Sequence, residues 1–136
     1  MSGRAESERW LAQARHDLEA AEHAASGGFH ALACFLCQQA GEKAVAGYLF
    51  ARDADHVWGH ALADLCEDAM QFDPSFDVIK TVAMLLDKYH HPTRYPTGLP
   101  GGVPHEVYDQ VDSARAVEIA QDVVEFVSTK LSSLES

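Results

Sequence analysis

Basic residues are scarce in this 136-residue chain: 10 Lys and Arg stand against 21 Asp and Glu, a formal charge of -11. General phosphate attraction needs a dense basic stripe that displaces counterions, so broad nucleic-acid binding is excluded and only a local basic patch is left open. Cysteine is scarcer still. Three residues are an odd number, whereas a disulfide framework in a short secreted chain shows an even set, so the thiols read as reduced. Cys34 and Cys37 form a C-x-x-C with no second pair and no glycine or proline turn around it, and they read as buried helix cysteines rather than a redox or zinc site. Long apolar runs are missing too. No segment approaches the ~18–20 residues of a membrane span, and "MSGRAESERW" lacks the apolar stretch of a signal peptide, which points to a cytoplasmic protein without a membrane partner.

Two further absences limit the chemistry. Gly101-Gly102 is not followed by Lys and Ser or Thr, so there is no phosphate loop for a magnesium triphosphate. There is no H-E-x-x-H, and the adjacent His90 and His91 would point in different directions on a helix, so neither a metal site nor a cofactor is expected.

What is there is apolar and helical. Hydrophobic residues make up 47% of the chain and charged residues 23%, enough for one compact core and one domain over residues 1–136. Apolar positions at three- and four-residue steps predict a first helix from about Glu6 to Ala25, on Trp10, Ala14, Leu18, Ala21 and Ala25. A second follows from about Phe29 to Ala51, with a stripe of Phe29, Leu32, Leu36, Ala40, Lys43 and Gly47. Its broad apolar surface suits a central position. Residues 52–60 are a polar connection. His60 opens a shorter third helix with Leu62, Leu65, Cys66 and Ala69 on its core face. Asp73-Pro74 starts a fourth, whose buried stripe is Val78, Ile79, Val82, Leu85, Leu86 and Tyr89.

Proline is almost confined to one place. Four of the five prolines, Pro92, Pro96, Pro100 and Pro104, fall in "KYHHPTRYPTGLPGGVPHEVY", and they predict a loop over residues 89–111 with no helix through residue 104. Asp112 and Ser113 then cap a last helix carrying Val117, Ala120, Val124, Val127, Leu131 and Leu134. With no strand-period segment and no internal repeat, the fold class is all-α, an antiparallel up-and-down bundle of four to five helices.

Four blocks, "RWLAQARHDLEAA", "ACFLCQQAGEKAVAGYL", "WGHALADL" and "LLDKYHHPTRYP", occur in an order and spacing that resembles the HEPN domains (higher eukaryote and prokaryote nucleotide-binding) over residues 8–131. The likeness is to the small stand-alone prokaryotic members and, more distantly, to the C-terminal domain of sacsin. It implies a helical bundle that forms a homodimer, with functional polar residues near the junction of helices three, four and five. It also implies two kinds of partner, a nucleotide and a minimal nucleotidyltransferase protein in a two-component, toxin-antitoxin-like system. Many HEPN relatives are metal-independent ribonucleases with an Arg followed, after four to six residues, by a His. Here Arg94 stands in that place, but the window covers Leu99, Pro100 and Gly101, and His105 comes later. Arg9 and His16 satisfy the spacing on the first helix, outside the signature's place.

The residues themselves support two chemistries. A nucleotide site needs a cation for phosphate, an aromatic face for the base and a few directional donors; Lys88, Tyr89, Arg94 and Tyr95 are close enough in sequence to share a cleft, joined by Lys43 and His60 from other helices. His60 reads first as a structural residue bonding a nearby carbonyl. RNA cleavage without metal needs a base, an acid and a cation, which Arg94 with His90, His91 or His105 could supply, with Arg94 and His105 the alternative catalytic pair. Against this, Arg94 reads as an anchor for the loop backbone and the histidines as solvated. Gln38, Gln39, Glu42 and Lys43 interrupt an apolar helix and belong either to a dimer contact or to the rim of the cleft. The leading expectation is a non-catalytic binding protein. A ribonuclease acting on RNA and a purely structural dimerisation module are the alternatives.

Overall fold

The computed structural model describes residues 2–55, 57 and 61–135. Among these residues are six α-helices: α1 (Ser2–Ser26), α2 (His30–Ala51), α3 (Leu62–Met70), α4 (Asp77–Asp87), the one-turn α5 (Pro104–Val107) and α6 (Gln110–Glu135). No strand occurs among the described residues, as the periodicity predicts.

The direction of each helix follows from its contacts. His30 Nδ1 lies 2.8 Å from Ser113 Oγ, so α2 and α6 start side by side and run parallel. Arg15 reaching Ser128 and Gln121 reaching Glu22 set α1 antiparallel to α6. Lys130 pairs with Asp73 at 2.9 Å, while Tyr89 meets Tyr108 at the other end, so α4 also runs against α6. Helix α2 is the central element. Its Ala33, Cys34, Cys37, Ala40, Ala44, Val45 and Leu49 are fully buried, and small side chains there let neighbouring helices approach on several sides. An aromatic chain, Tyr48 to Phe76 at 4.5 Å and Phe76 to Phe126 at 5.1 Å, fastens the C-terminal half of α2 to the start of α4 and to α6. Burial pushes the thiols of Cys34 and Cys66 up to about 12 and that of Cys37 higher, so all three stay protonated and pack as small apolar groups.

Several boundaries and faces differ from expectation. Helix α1 begins at Ser2 rather than Glu6. The expected opening of α3 at His60 lies outside the described residues, and α3 is described from Leu62. The fourth helix is preceded by a 3-10 turn, Pro74–Phe76, in which Asp73 accepts from Ser75 N at 3.0 Å; hydrogen bonding from Ser75 and Lys130 holds the Asp73 carboxyl down at about 2. The proline-rich segment is not all loop. It holds a 3-10 turn at Pro96–Gly98 and the helical turn α5, which tolerates Pro104 because the first residue of a helix needs no N–H. Helix α6 starts two residues before the expected cap. Asp109 is the capping residue: its Oδ1 accepts from Asp112 N at 3.1 Å while Asp112 Oδ2 accepts from Asp109 N at 3.0 Å. Ser113 is instead buried and bonded to Gln110 O and His30.

Phe29 (67% exposed), Leu32 (49%), Val78 (68%) and Leu134 (39%) were expected in buried stripes and stand outside. In α2 nearly every face beyond Cys37 is buried, so periodicity carries no azimuth and the stripe drawn through Phe29 and Leu32 is rotated from the true core line through Ala33, Cys34 and Cys37. In α4 the core line is Ile79, Ala83 and Leu86, which turns Val78 outward.

Among the described residues one buried side-chain polar atom has no partner: Ser7 Oγ, on the face of α1 that crosses α2 at Gly47. Ser7→Ala removes an unsatisfied hydroxyl without opening a large void, so its expected effect is a gain of up to about 1 kcal/mol in unfolding free energy. Urea denaturation checks this, and a clear loss of stability would show that the hydroxyl is satisfied.

Candidate functional site at the end of α4

The end of α4 is tied back on itself. The Thr93 hydroxyl donates to Tyr89 O, Arg94 N and Tyr95 N donate to His91 O at 3.1 and 3.2 Å, and Arg94 Nε donates to His90 O at 2.8 Å. Pro92 ends the helix, and these bonds wind residues 89–95 into a compact turn instead of letting the chain extend. The turn is closed from the far side by Gly98: a Cβ there would lie 2.6 Å from the His91 ring and 3.0 Å from Pro92 Cα, so the approach requires glycine.

Beside this turn lies a cleft of about 640 Å³, within the ~300–1,000 Å³ range of small-molecule sites, lined by Gln38 and Glu42 of α2, Ala61, Asp87 and Lys88 of α4 and its end, and His90, His91 and Pro92. Its floor is a connected polar network. Gln38, 1% exposed, places Nε2 2.9 Å from Glu42 Oε2 and 3.4 Å from Asp87 Oδ1, and its Oε1 accepts from Gln39 Nε2 at 2.7 Å. His90 Nδ1 lies 3.3 Å from the same Gln38 Oε1. Asp87 also caps α3 from a distance: its Oδ1 accepts from Leu62 N and its Oδ2 from Ala63 N, both at 2.9 Å. Ala61, at the N-cap position, has no side chain able to do so.

On the outer side of the turn the Arg94 guanidinium lies over two rings, 4.6 Å from the Phe35 centroid and 5.0 Å from that of Tyr95. The Tyr95 ring meets that of His91 at 5.1 Å, tilted by 40°, and His91 Nε2 is 3.3 Å from Thr97 Oγ1. Arg4, Arg9, Arg115, Lys43, Lys80 and Lys130 each pair with a carboxylate, whereas among the described residues Arg94 and Lys88 have no carboxylate partner, and neither do Arg15, bonded to Ser128, and Arg52, set over Phe72.

The expected site residues are therefore divided. Lys88 lines the cleft, and Arg94 and Tyr95 stand next to it through His90 and His91. Tyr89 turns into the core beside Tyr108, and burial raises its hydroxyl to about 12. Lys43 belongs elsewhere: it pairs with Asp17 of α1 and borders a separate groove with Glu6, Arg9, Trp10 and Gln13. His60 lies outside the described residues. His105 sits exposed on α5, and no hydrogen bond, ring contact or shared cleft joins it to Arg94 among the described residues. Arg9, the other Arg of the sequence motif, is engaged by Glu6. Two contributors were not anticipated, Phe35 and Asp87. The second had a signal, because a helix opening on Ala61 needs an acceptor from outside its own sequence. Among the described residues no three His, Cys, Asp or Glu side chains converge as a metal-ligand set.

Comparison with known proteins agrees with this architecture. The HEPN domain model matches residues 7–131. Among solved structures, the crystal structure of TT1696 from Thermus thermophilus is 36% identical with a TM-score of 0.87, over 96% of this chain and 99% of that one. The archaeal HEPN homologue ST0689 is 36% identical with a TM-score of 0.76, over 92% and 97%. The HEPN domain protein TM0613 from Thermotoga maritima is 30% identical with a TM-score of 0.73, over 91% and 98%. Among curated proteins there is no significant match. A six-helix fold shared along nearly its whole length with these structures, together with the domain match, places the chain in the HEPN domain family.

Proposed function

We propose that the protein binds a nucleotide, with the phosphate on Arg94 and Lys88 and the base in the cleft beside them. The observation that carries this reading is the state of Arg94. In a chain with twice as many acids as bases, its guanidinium has no carboxylate among the described residues. It is nevertheless held in place by Nε on His90 O and by the Phe35 and Tyr95 rings. A guanidinium fixed by its Nε and its faces keeps its terminal N–H groups for an incoming anion, and holding it in advance lowers the entropy cost of binding. Lys88 adds a second cation on the same turn. The carboxylates of Glu42 and Asp87 disfavour phosphate on the cleft floor, which separates the two ends of the ligand.

Calorimetric titration tests this. Nucleoside monophosphates are expected to bind and the corresponding nucleosides to bind much more weakly, and Arg94→Ala is expected to lose at least about tenfold in affinity, the ~1.4 kcal/mol scale of one charge-assisted contact. Equal binding of nucleoside and nucleotide, or wild-type affinity in Arg94→Ala, would refute the assignment.

The proposal includes self-association. Phe29 and Leu32 at the start of α2 and Val111 (75% exposed) at the start of α6 are large, exposed and apolar, and the His30–Ser113 bond places the two helix starts together. A second copy of the chain is the proposed cover. A nucleotidyltransferase remains the proposed partner of the assembled protein, on the strength of the family alone.

A further inference from the structure

We propose that the cleft selects guanine, reading its Watson–Crick edge with Glu42 and His90; this rests on the nucleotide reading above and specifies the base. The argument begins with Gln38. A carboxylate only accepts hydrogen bonds, so the nitrogen of the Gln38 amide must be the atom facing Glu42 and Asp87, and its oxygen is the atom facing Gln39 and His90. His90 Nδ1, 3.3 Å from that oxygen, must therefore carry a proton. In the neutral ring this leaves Nε2 as an acceptor.

The remaining capacity of the floor then follows by elimination. Asp87 is turned to α3 and Gln38, its Oδ1 accepting from Leu62 N and Gln38 Nε2 and its Oδ2 from Ala63 N. Glu42 uses Oε2 on Gln38, and its Oε1 has no partner among the described residues. Gln38 is fully satisfied. Among the described residues, with the Lys88 ammonium on the phosphate as in the reading above, what the floor leaves for a base is two acceptors, Glu42 Oε1 and His90 Nε2. A ligand edge that fits must bring donors.

Among the four bases only guanine presents two adjacent donors, N1–H and the N2 amine. Adenine and cytosine pair an amino donor with an unprotonated ring nitrogen, which would face the carboxylate. Uracil has a single N–H between two carbonyl oxygens, both repelled by Glu42. The phosphate end is fixed independently, because Arg94 Nε is bonded to the carbonyl of His90 itself, so the anion site adjoins the base site.

The test is a set of titrations of the full chain with GMP, AMP, CMP and UMP, together with N1-methylated GMP as a probe that needs no mutation. GMP is expected to bind at least about tenfold more tightly than AMP, the ~1.5–3 kcal/mol range of a hydrogen bond to a charged group. N1-methylation is expected to abolish that advantage. In Glu42→Gln, checked for folding by circular dichroism, the GMP to AMP ratio is expected to fall to within about threefold, under 1 kcal/mol. Equal affinity for all four nucleotides, or no effect of N1-methylation, would overturn guanine selection and leave the phosphate assignment standing. No binding of any nucleotide would overturn both.

Discussion

Replacing Asp87 with alanine is expected to lower the unfolding free energy by about 2–4 kcal/mol, because it withdraws a carboxylate from two backbone donors at once. Helix α3 begins without a capping side chain of its own, and its Leu62 N–H and Ala63 N–H both reach Asp87 across 2.9 Å. Leu62 is fully buried, so water does not readily replace the lost acceptor. Gln38 loses a neighbour as well, 3.4 Å away, and the cleft floor loosens with it. Asp87→Asn separates geometry from charge: it keeps one acceptor oxygen and is expected to lose about half as much. Urea denaturation of both variants checks the ordering, and a loss below about 1 kcal/mol in Asp87→Ala would mean that α3 is capped by another group.

The second large effect is expected at Lys43. Its ammonium pairs with Asp17, whose side chain is only 9% exposed and also accepts from Gln13 Nε2 at 2.9 Å. Lys43 itself is 26% exposed, so water screens part of the pair. Lys43→Met leaves a buried carboxylate with a single neutral donor, and the expected cost is about 2–4 kcal/mol, toward the low side of the ~3–5 kcal/mol for breaking fully buried pairs. The double variant Lys43→Met with Asp17→Leu is expected to recover most of that loss, since it removes the stranded charge. A double variant as unstable as the single one would show that packing between α1 and α2, and not the uncompensated charge, sets the cost.

These two residues also show how far the sequence could be read. The long helices were legible because α1 and α6 each carry one apolar face against a polar one, and three- and four-residue steps report that directly. In α2 the same reasoning found the helix but not its orientation, since polar and apolar positions are buried alike. Glu42 and Lys43 are sequence neighbours, yet about 100° apart around the helix axis, so one faces the cleft and the other faces α1. Grouping Lys43 with the turn after α4 was therefore a matter of chemistry without direction.

The turn at residues 89–95 was visible from its prolines and its Arg and Tyr. What held Arg94 was not, because Phe35 comes from the second helix and a stacking contact leaves no spacing signature. For Asp87 the sequence shows the need, a helix opening on Ala61 without a cap, but not the source, because a cap supplied from another helix has no local pattern. Pro104 misled in the opposite direction, since proline forbids a helix interior but suits a helix start, and α5 uses it there.

Whether a nucleotide sits on the turn after α4 is tested most directly by a heteronuclear NMR titration of the full chain with GMP. Arg94 Nε–H, bonded to His90 O, provides a side-chain resonance at the proposed phosphate contact, and the backbone amides of Lys88, His90 and His91 report on the adjoining cleft. The expected result is a saturable shift of the Arg94 Nε–H signal together with those amides, while the groove on α1 lined by His16, Glu19 and His23 stays unchanged. Saturable shifts confined to α1, with Arg94 and His90 unmoved, would contradict the site.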